Sequence, residues 1–505
     1  MITGVASVGN GTDTLHYAYR PGLSQLETAT WRNSQDAVLN SRTYAYDAYH
    51  RLTGINLNNA SEVAYTLNDK DQRTAASYAV GGAWSYSYDE KSQVTGATGS
   101  NTTFSYAYDG IGNRLTAAEG SDTWSYTSNL LNQYTAINSD QPTYDADGNM
   151  LTTGDGWLYT WNGENRLIRA ENSDTLVEMA YDYMGRRVEK KVSSKGLFTF
   201  YNWNVDKHYK FAYDDYKLIA VYDAANNNAL LMTFTWQPES VGLDVPVSMS
   251  YDGNTYYYVT DGNKNVTGLL DQAGNRVAEY VYGPFGQLLG AEGELAEVNP
   301  FRFSSEYADD ETGLVYYNYR YYNAKLGRWI KRDSIEEQGG MNLYSIVDNS
   351  SIDIWDYLGL YSMEERDDGT FVIDVEKCEI VLFDGHGSDE KFNTFRFGHA
   401  CSAAGYTGCY AKQNNEKIPK NGRLPNYPKN TGEIESPSEE KERQRRILAA
   451  ATLNKAQSFC IRQIKNGKKV GCCSKVNIFV VSNISSIWRG DRSASYTYDC
   501  DTGRV

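Results

Sequence analysis

Aromatic and polar residues alternate in short runs along the first part of the chain, a pattern typical of half-buried β-strands. Tyrosines begin successive runs at positions 44, 65, 86, 106 and 126, which are 20 or 21 residues apart. Several runs lead into an Asp-x-x-Gly-Asn sequence, as at Asp109 to Asn113. That sequence predicts a turn that contains a residue with positive φ. Each unit therefore predicts two short strands and a turn.

Units of this kind cannot bury their apolar faces alone, so neighbouring units are expected to stack into a continuous sheet. Another tyrosine-rich β solenoid or a β-propeller is the alternative, although a propeller blade needs a period about twice as long. After residue 360 the pattern predicts strands at 371–375, 379–383 and 475–481, a long loop over 414–440 and an amphipathic helix over 441–464. A mostly β protein followed by a small α/β or α+β domain is expected.

The amino-acid composition also changes after residue 360. Of the 42 tyrosines, 36 precede residue 361. The net charge of -16 comes from 48 Lys and Arg against 64 Asp and Glu; 26 and 45 of these lie in the first 360 residues and 22 and 19 in the rest. The acidic first part is not expected to bind nucleic acid, whereas the second part has the charge to do so. No run of 18 apolar residues occurs, so no membrane span is expected.

The repeats resemble the YD-repeat family of rearrangement hotspot (Rhs) proteins and the C component of Tc toxins, over roughly Tyr44 to Leu360. In that family the repeats coil into a hollow β cocoon that encloses a C-terminal toxin. The resemblance implies that many tyrosines face the lumen or line the sheet, and that none of them is catalytic. It also implies three domains: a β shell over 1–299, a core module over 300–360 and an effector over 361–505.

The core module carries the most specific motifs, which resemble the Rhs-associated core sequence. They are Pro-Phe-Arg-Phe at 300–303, Glu-Thr-Gly-Leu-Val-Tyr-Tyr at 311–317, Arg-Tyr-Tyr at 320–322, Gly-Arg-Trp at 327–329, Arg-Asp at 332–333, Gly-Met-Asn-Leu-Tyr at 340–344 and Asp-Tyr-Leu-Gly-Leu at 356–360. The resemblance implies that Asp333 and Asp356 cut the chain after the closing Gly-Leu, between Leu360 and Tyr361. Arg332 matches the arginine beside the first aspartate, and its guanidinium is expected to favour the ionised form of one carboxylate.

Two carboxylates in a partly dry site cannot both ionise easily, so one serves as acid and the other as base, as in aspartic proteases. Taken alone, either aspartate would be interpreted as a turn cap. The surrounding motifs favour self-cleavage. The chain departs from the family pattern at Ser334, Ser351 and Tyr357, where prolines are usual.

The effector has candidate catalytic residues of its own. His386 follows a predicted strand in Asp384-Gly-His-Gly, and His399 precedes Cys401 by two positions. A Gly-flanked histidine and a cysteine after a second strand weakly resemble the signatures of caspase-like cysteine peptidases. The separation of His386 and Cys401 is too short for that family. We therefore predict only a thiol and imidazole pair, with Asp384 as its orienter.

Other chemistry fits the same residues. His386, His399, Cys401 and Cys409 are also possible zinc ligands, although a His-x-Cys spacing is not a standard one. Basic runs over 441–446 and 462–469 suit either a solvated helix face or a nuclease that grips phosphates. Up to three disulfides are another possibility, since all seven cysteines follow residue 360: Cys378, Cys401, Cys409, Cys460, Cys472, Cys473 and Cys500.

These observations together predict a polymorphic toxin of the Rhs or YD-repeat type, whose effector is a cysteine-dependent hydrolase or a nuclease. A non-enzymatic cell-surface or carbohydrate-binding repeat protein is the alternative. No cofactor is expected. The resemblance implies a cognate immunity protein and a delivery machine or upstream shell component as partners. The first ten residues lack the pattern of a secretory signal, so either delivery by a route that does not use one is expected or the chain is the downstream part of a larger protein.

Overall fold

Antiparallel strands that follow one another in chain order make up most of this protein. The computed structural model describes residues 4–8, 13–21, 25–196, 199–238, 244–334 and 340–359, and six strands between Tyr361 and Asp499. The chain separates into two compact units, Met1–Gly369 and Thr370–Val505. The described residues include no α-helix and no helix long and apolar enough to cross a membrane.

The first sheet has 13 strands in sequential order, each hydrogen-bonded to the next. Sequential order is what stacked repeats predict, because every hairpin pairs with the hairpin before it. Its strands are β1 (Gly4–Val8), β2 (Asp13–Tyr19), β3 (Leu26–Arg32), β4 (Val38–Tyr46), β5 (Leu52–Leu57), β6 (Ala60–Leu67), β7 (Arg73–Tyr78), β8 (Gly82–Tyr88), β9 (Val94–Thr98), β10 (Thr103–Tyr108), β11 (Arg114–Glu119), β12 (Asp122–Ser128) and β13 (Tyr134–Ile137).

The second sheet has 14 strands, again in sequential order. The predicted mostly β fold of stacked hairpins is therefore confirmed. Its strands are β14 (Thr143–Tyr144), β15 (Met150–Thr152), β16 (Leu158–Trp161), β17 (Leu167–Glu171), β18 (Thr175–Tyr181), β19 (Arg187–Gly196), β20 (Thr199–Asp214), β21 (Lys217–Asp223), β22 (Ala229–Trp236), β23 (Pro246–Tyr251), β24 (Asn254–Thr260), β25 (Val266–Leu270), β26 (Arg276–Tyr282) and β27 (Leu288–Glu292).

One turn recurs at the end of each repeat, and the turn after β10 is typical. The Asp109 carboxylate accepts hydrogen bonds from the backbone nitrogens of Ile111 and Asn113, both at 2.9 Å, and from Asn113 Nδ2 at 2.9 Å. Gly112, the fourth residue, has φ +87°, a conformation that glycine adopts without strain. The predicted turn with positive φ is confirmed.

The second aromatic residue of each repeat has a role that the sequence pattern does not reveal. The Tyr108 hydroxyl donates to the Val94 carbonyl at 2.7 Å, and the Tyr181 hydroxyl donates to the Leu167 carbonyl at 2.7 Å. Tryptophan takes the same place at Trp161, whose indole nitrogen donates to a backbone carbonyl at 2.8 Å. These aromatics therefore tie each repeat to the one before it.

The end of the second sheet packs against the beginning of the first. The Tyr257 hydroxyl on β24 donates to the buried Asp13 carboxylate at 2.6 Å, and its ring lies 4.8 Å from that of Trp31. The Tyr65 hydroxyl accepts a hydrogen bond from the Gly262 nitrogen at 2.8 Å. Strands separated by about 200 residues thus share one buried layer.

The core module adds a small sheet of β28 (Tyr307–Asp309), β29 (Leu314–Tyr317), β30 (Arg320–Asn323) and β31 (Arg328–Trp329). A buried ion-pair network joins this sheet to β19. Arg187 Nη1 lies 2.5 Å from Asp309 Oδ2, and Lys190 Nζ lies 2.7 Å from Asp309 Oδ1 and 2.6 Å from Glu311 Oε2. Buried charges persist only when paired, so these contacts fix the small sheet on the shell.

A segment that we name the strap, residues 331–334 and 340–353, crosses the repeat turns in reverse order. Lys331 Nζ donates to the Asn165 carbonyl at 3.0 Å, and the Tyr344 hydroxyl donates to the Gly148 carbonyl at 2.7 Å. Further along, Asn349 Nδ2 donates to Gln93 Oε1 at 3.0 Å, and the Arg73 nitrogen donates to Asp353 Oδ1 at 2.9 Å. Two short 3-10 turns, Phe303–Ser305 and Val347–Asn349, lie in the core module.

The remaining strands are β32 (Trp355–Tyr357), β33 (Tyr361–Glu365), β34 (Phe371–Ile373), β35 (Glu379–Asp384), β36 (Arg396–Phe397), β37 (Lys475–Ser482) and β38 (Ser493–Asp499). In the second unit β35 pairs in parallel with β37, which pairs antiparallel with β38. Strands thus lie at the three predicted places. The predicted helix over 441–464 and loop over 414–440 lie outside the described residues. The domain boundaries at 299/300 and 360/361 stay predictions.

Candidate self-cleavage site

The Asp333 and Asp356 carboxylates meet at one guanidinium, that of Arg320. Arg320 Nη1 lies 2.7 Å from Asp333 Oδ2, and Nη2 lies 2.9 Å from Asp356 Oδ2. All three side chains are 3% exposed. A planar guanidinium presents its donors in a fixed fork, so it holds both carboxylates in one arrangement. The structure therefore brings the two predicted aspartates together.

Arg320 also holds the backbone next to the predicted cleavage position. Its Nε donates to the Gly359 carbonyl at 2.5 Å, and its Cζ lies 4.0 Å from the centroid of the Trp329 ring. The aromatic face stabilises the cation by a cation–π contact. One buried side chain therefore connects both carboxylates to the residue that precedes Leu360.

A tight hairpin presents this part of the chain. Strand β32 pairs antiparallel with β33, and Tyr357 lies opposite Tyr361. Gly359 has φ +74°, and a Cβ built there would lie 3.0 Å from Cβ and the carbonyl oxygen of Tyr317. Position 359 therefore requires glycine. Tyr361, the residue after the predicted cleavage position, is the first residue of β33, and Asp356 lies opposite Ser362 of that strand.

Arg332 contacts a repeat turn of the shell. Its Cγ and Cδ would each be 2.7 Å from a Cβ on Gly148, so it packs against the shell turn at 145–149. None of the ion pairs described for residues 13–334 and 340–359 involves Arg332. Arg320 makes the described ion pairs with Asp333 and Asp356, and the role of Arg332 stays a prediction. The Arg-Tyr-Tyr motif contained Arg320, but local sequence gives no sign that it reaches Asp333 and Asp356.

Two further ionisable groups lie near the pair and were not predicted. Burial raises the pKa of Glu306 to about 8; the charge of Lys264 opposes the rise, and those of Asp244 and Asp356 add to it. Burial lowers the pKa of Lys331 to about 7, assisted by the charges of nearby arginines. Glu306 therefore carries a proton at neutral pH, and Asp356 is the second carboxyl group near it.

The predicted effector site cannot be placed. Asp384 ends β35 opposite Ser482, whereas His386, His399 and Cys401 lie outside the described residues. The other six cysteines and Leu360 lie outside them as well. Among the residues that the structure describes, no group of three His, Cys, Asp or Glu side chains is arranged to hold a metal ion. The thiol, zinc, disulfide and nuclease hypotheses stay predictions.

Relatives of this chain include several named toxins. The tRNA3(Ser)-specific nuclease WapA of Bacillus spizizenii is 27% identical over 297 residues, which is 56% of this chain and 12% of the relative. The double-stranded DNA deaminase toxin A of Burkholderia cenocepacia is 26% identical over 282 residues, covering 51% of this chain and 19% of the relative. This chain thus corresponds to less than a fifth of either protein.

The fold has a solved counterpart. The crystal structure of TcdB2–TccC3 without its hypervariable C-terminal region matches 70% of this chain and 18% of its own, with a TM-score of 0.50 and 22% identity. The family model of the Teneurin YD-shell matches residues 82–352. This range holds strands β8 to β31, which include the small sheet, and most of the strap. The chain therefore belongs to the Teneurin YD-shell family and is an Rhs/YD-repeat shell protein.

Proposed function

We propose that this chain cuts itself between Leu360 and Tyr361, with Asp333 and Asp356 as the acid–base pair. The observation that carries the proposal is Arg320, which contacts both buried carboxylates and the Gly359 carbonyl. Two carboxyl groups beside one peptide bond, in a site that excludes most water, are what general acid–base hydrolysis requires. The β32–β33 pairing also supports the proposal, because β33 begins at Tyr361 and Asp356 lies opposite Ser362, the next residue of that strand.

The reaction requires a water molecule and no cofactor. One carboxylate accepts a proton from water as its oxygen attacks the Leu360 carbonyl carbon, and the other carboxyl group gives a proton to the Tyr361 nitrogen. A C–O bond forms and the C–N bond breaks, which leaves a carboxylic acid at Leu360 and an amine at Tyr361. Arg320 holds the Gly359 carbonyl throughout, so the scissile bond keeps its register.

Expression of the full chain with a different tag at each end tests the cleavage. Wild type is expected to give two fragments on a denaturing gel, with Tyr361 as the first residue of the released one. Asp333→Asn and Asp356→Asn are expected to give a single full-length band. Asp147→Asn is a matched control, because this turn aspartate is exposed and lies outside the pair. An intact wild-type chain, or fragments that persist in both asparagine variants, would refute the proposal.

We further propose that the shell encloses a toxic effector, residues 361–505, which is an enzyme that acts on protein or nucleic acid. The named relatives support this, since one is called a tRNA nuclease and another a double-stranded DNA deaminase toxin. The toxin needs a cognate immunity protein in the producing cell. It also needs a delivery machine or an upstream shell component, and the likeness of fold to TcdB2–TccC3 is compatible with that.

Growth of bacteria that express the full chain tests the effector. Arrest that disappears with Cys401→Ala or His386→Ala, but persists with Cys409→Ala, supports a cysteine-dependent hydrolase. Arrest that is independent of Cys401 and accompanied by cut or deaminated nucleic acid supports a nuclease or a deaminase. Normal growth together with an intact chain would favour a non-enzymatic cell-surface or carbohydrate-binding protein.

A further inference from the structure

Lys331 is a buried lysine at the start of the strap, two residues before Asp333. It is 4% exposed, and its Nζ donates to the Asn165 carbonyl at 3.0 Å. Lysine is rarely buried to this extent without a charged partner, because removing an ammonium from water is costly. An ammonium at this position therefore requires a compensating charge nearby.

The charges around Lys331 come from three elements. Arg166, in the shell turn at 162–166, and Arg320, on β30, both repel the ammonium, whereas Asp333 attracts it. Burial, followed by these two arginines, lowers the pKa of Lys331 to about 7. Lys331 thus differs from ordinary surface lysines, since its charge changes within the neutral pH range.

Backbone contacts hold the Asp333 segment to the shell on one side and to the rest of the strap on the other. The Met150 nitrogen donates to the Ile330 carbonyl at 2.9 Å, and the Asp333 nitrogen donates to the Leu343 carbonyl at 2.9 Å. Lys331 lies between these two contacts and adds a side-chain link to a second shell turn. A carboxylate on a short segment held at several points keeps a fixed orientation, which acid–base chemistry needs.

We propose that Lys331 is a positioning residue for self-cleavage, which fastens the Asp333 segment to the Asn165 turn and, when protonated, places a positive charge near Asp333. This inference rests on the proposed self-cleavage of the chain. It differs from the role of Arg320, because Lys331 contacts the shell rather than the two carboxylates. Cleavage would therefore be fastest while Lys331 is protonated.

Refolding of the intact chain tests this proposal. Chain that has not yet folded is recovered intact from inclusion bodies in urea, diluted into buffers between pH 5 and pH 9, and followed on denaturing gels to obtain the cleavage rate. Lys331→Met, Lys331→Arg, Asp333→Asn and wild type are compared. Lys91→Met is the matched control, because Lys91 Nζ also donates to a carbonyl of a neighbouring turn, that of Gly110 at 2.6 Å, but is exposed. Thermal unfolding checks that each variant folds.

We expect the wild-type rate to fall as pH rises through about 7, where Lys331 loses its proton. Lys331→Met should lower the rate at pH 6 by about tenfold, equal to about 1.4 kcal/mol, and remove this inflection. Lys331→Arg, which stays charged, should keep the low-pH rate up to higher pH.

The results distinguish failure of the proposal for Lys331 from failure of the proposed self-cleavage. A folded Lys331→Met variant with the wild-type rate and pH profile, in an experiment where Asp333→Asn abolishes cleavage, would overturn the role of Lys331 alone. Rates that change equally in Lys331→Met and Lys91→Met would overturn it too, because they indicate a general effect on folding. Absence of cleavage in wild type would overturn the proposed function itself.

Discussion

The side-chain amide of Asn349 donates a hydrogen bond to that of Gln93 at 3.0 Å, across 256 residues of sequence. The same Asn349 nitrogen lies 2.9 Å from the Gly112 carbonyl. One strap residue thus contacts two successive shell turns. The strap is fixed on the shell by side chains at the turns, because turn residues carry unpaired polar groups that can accept such contacts.

Replacement of Asn349 by alanine is expected to destabilise the shell by about 1–3 kcal/mol, since it leaves buried acceptors without their donor. The urea midpoint of the full chain, followed by tryptophan fluorescence, measures this effect. Asn254→Ala is the control, because Asn254 makes its contact in an exposed hairpin turn. Replacement of both Asn349 and Gln93 by alanine should cost less than the sum of the two single changes, although Gln93 also donates to Asp89 at 2.7 Å, and full additivity would contradict the contact.

The repeat turn allows a second prediction. Asp109→Ala removes an acceptor of three hydrogen bonds and is expected to lower the free energy of unfolding by about 1–3 kcal/mol. Asp122→Ala, at an exposed turn on the same sheet, should change it by less than about 0.5 kcal/mol. Chemical denaturation of the two variants beside wild type gives the comparison. Equal effects would show that the turn is not held by Asp109.

The hydroxyl group explains why the second aromatic position of a repeat holds tyrosine rather than phenylalanine. Tyr108→Phe keeps the ring but removes the donor to the Val94 carbonyl. A loss of about 1 kcal/mol is expected, the usual net contribution of one hydrogen bond. Tyr183→Phe serves as the control, because Tyr183 is 94% exposed. A Tyr108→Phe midpoint that equals that of Tyr183→Phe would contradict this account.

Acid should weaken the link between β19 and the small sheet. Burial opposes ionisation of Glu311, but the ammonium of Lys190 outweighs it and lowers the pKa of Glu311 to about 2. A carboxyl whose pKa is lowered by folding stabilises the protein above its unfolded pKa, and this stability is lost as pH falls through the folded pKa. The contribution is on the order of 3 kcal/mol, and it should decline between about pH 5 and pH 2.

Urea midpoints measured from pH 7 to pH 3 check this prediction. Glu311→Gln should flatten the decline, whereas replacement of the exposed Glu164 by Gln should leave it unchanged. Because other carboxylates also titrate in this range, the difference between the two variants is the quantity to compare. Parallel curves for Glu311→Gln and wild type would show that the ion pair with Lys190 contributes little.

The strands and turns of the shell could be predicted from local features of the sequence. Contacts between side chains that are far apart in the sequence could not. The turn at Asp109 and the paired strands follow from residues within a few positions of each other, which is why the repeat pattern predicts them. Arg320 contacts Asp356 across 36 residues, and Asn342 contacts Asn113 across 229. Only the folded chain brings such pairs together. The motif resemblance indicated both aspartates but assigned the guanidinium to Arg332.

The strap also has a consequence for the order of events during synthesis. A ribosome makes the chain from its first residue, so Arg73 emerges 280 residues before Asp353, its partner. Asp356 follows only three residues later. Under the proposed self-cleavage, the pair of Asp333 and Asp356 would be complete only after every turn beneath the strap has been translated. Scission would then be the last step of biogenesis.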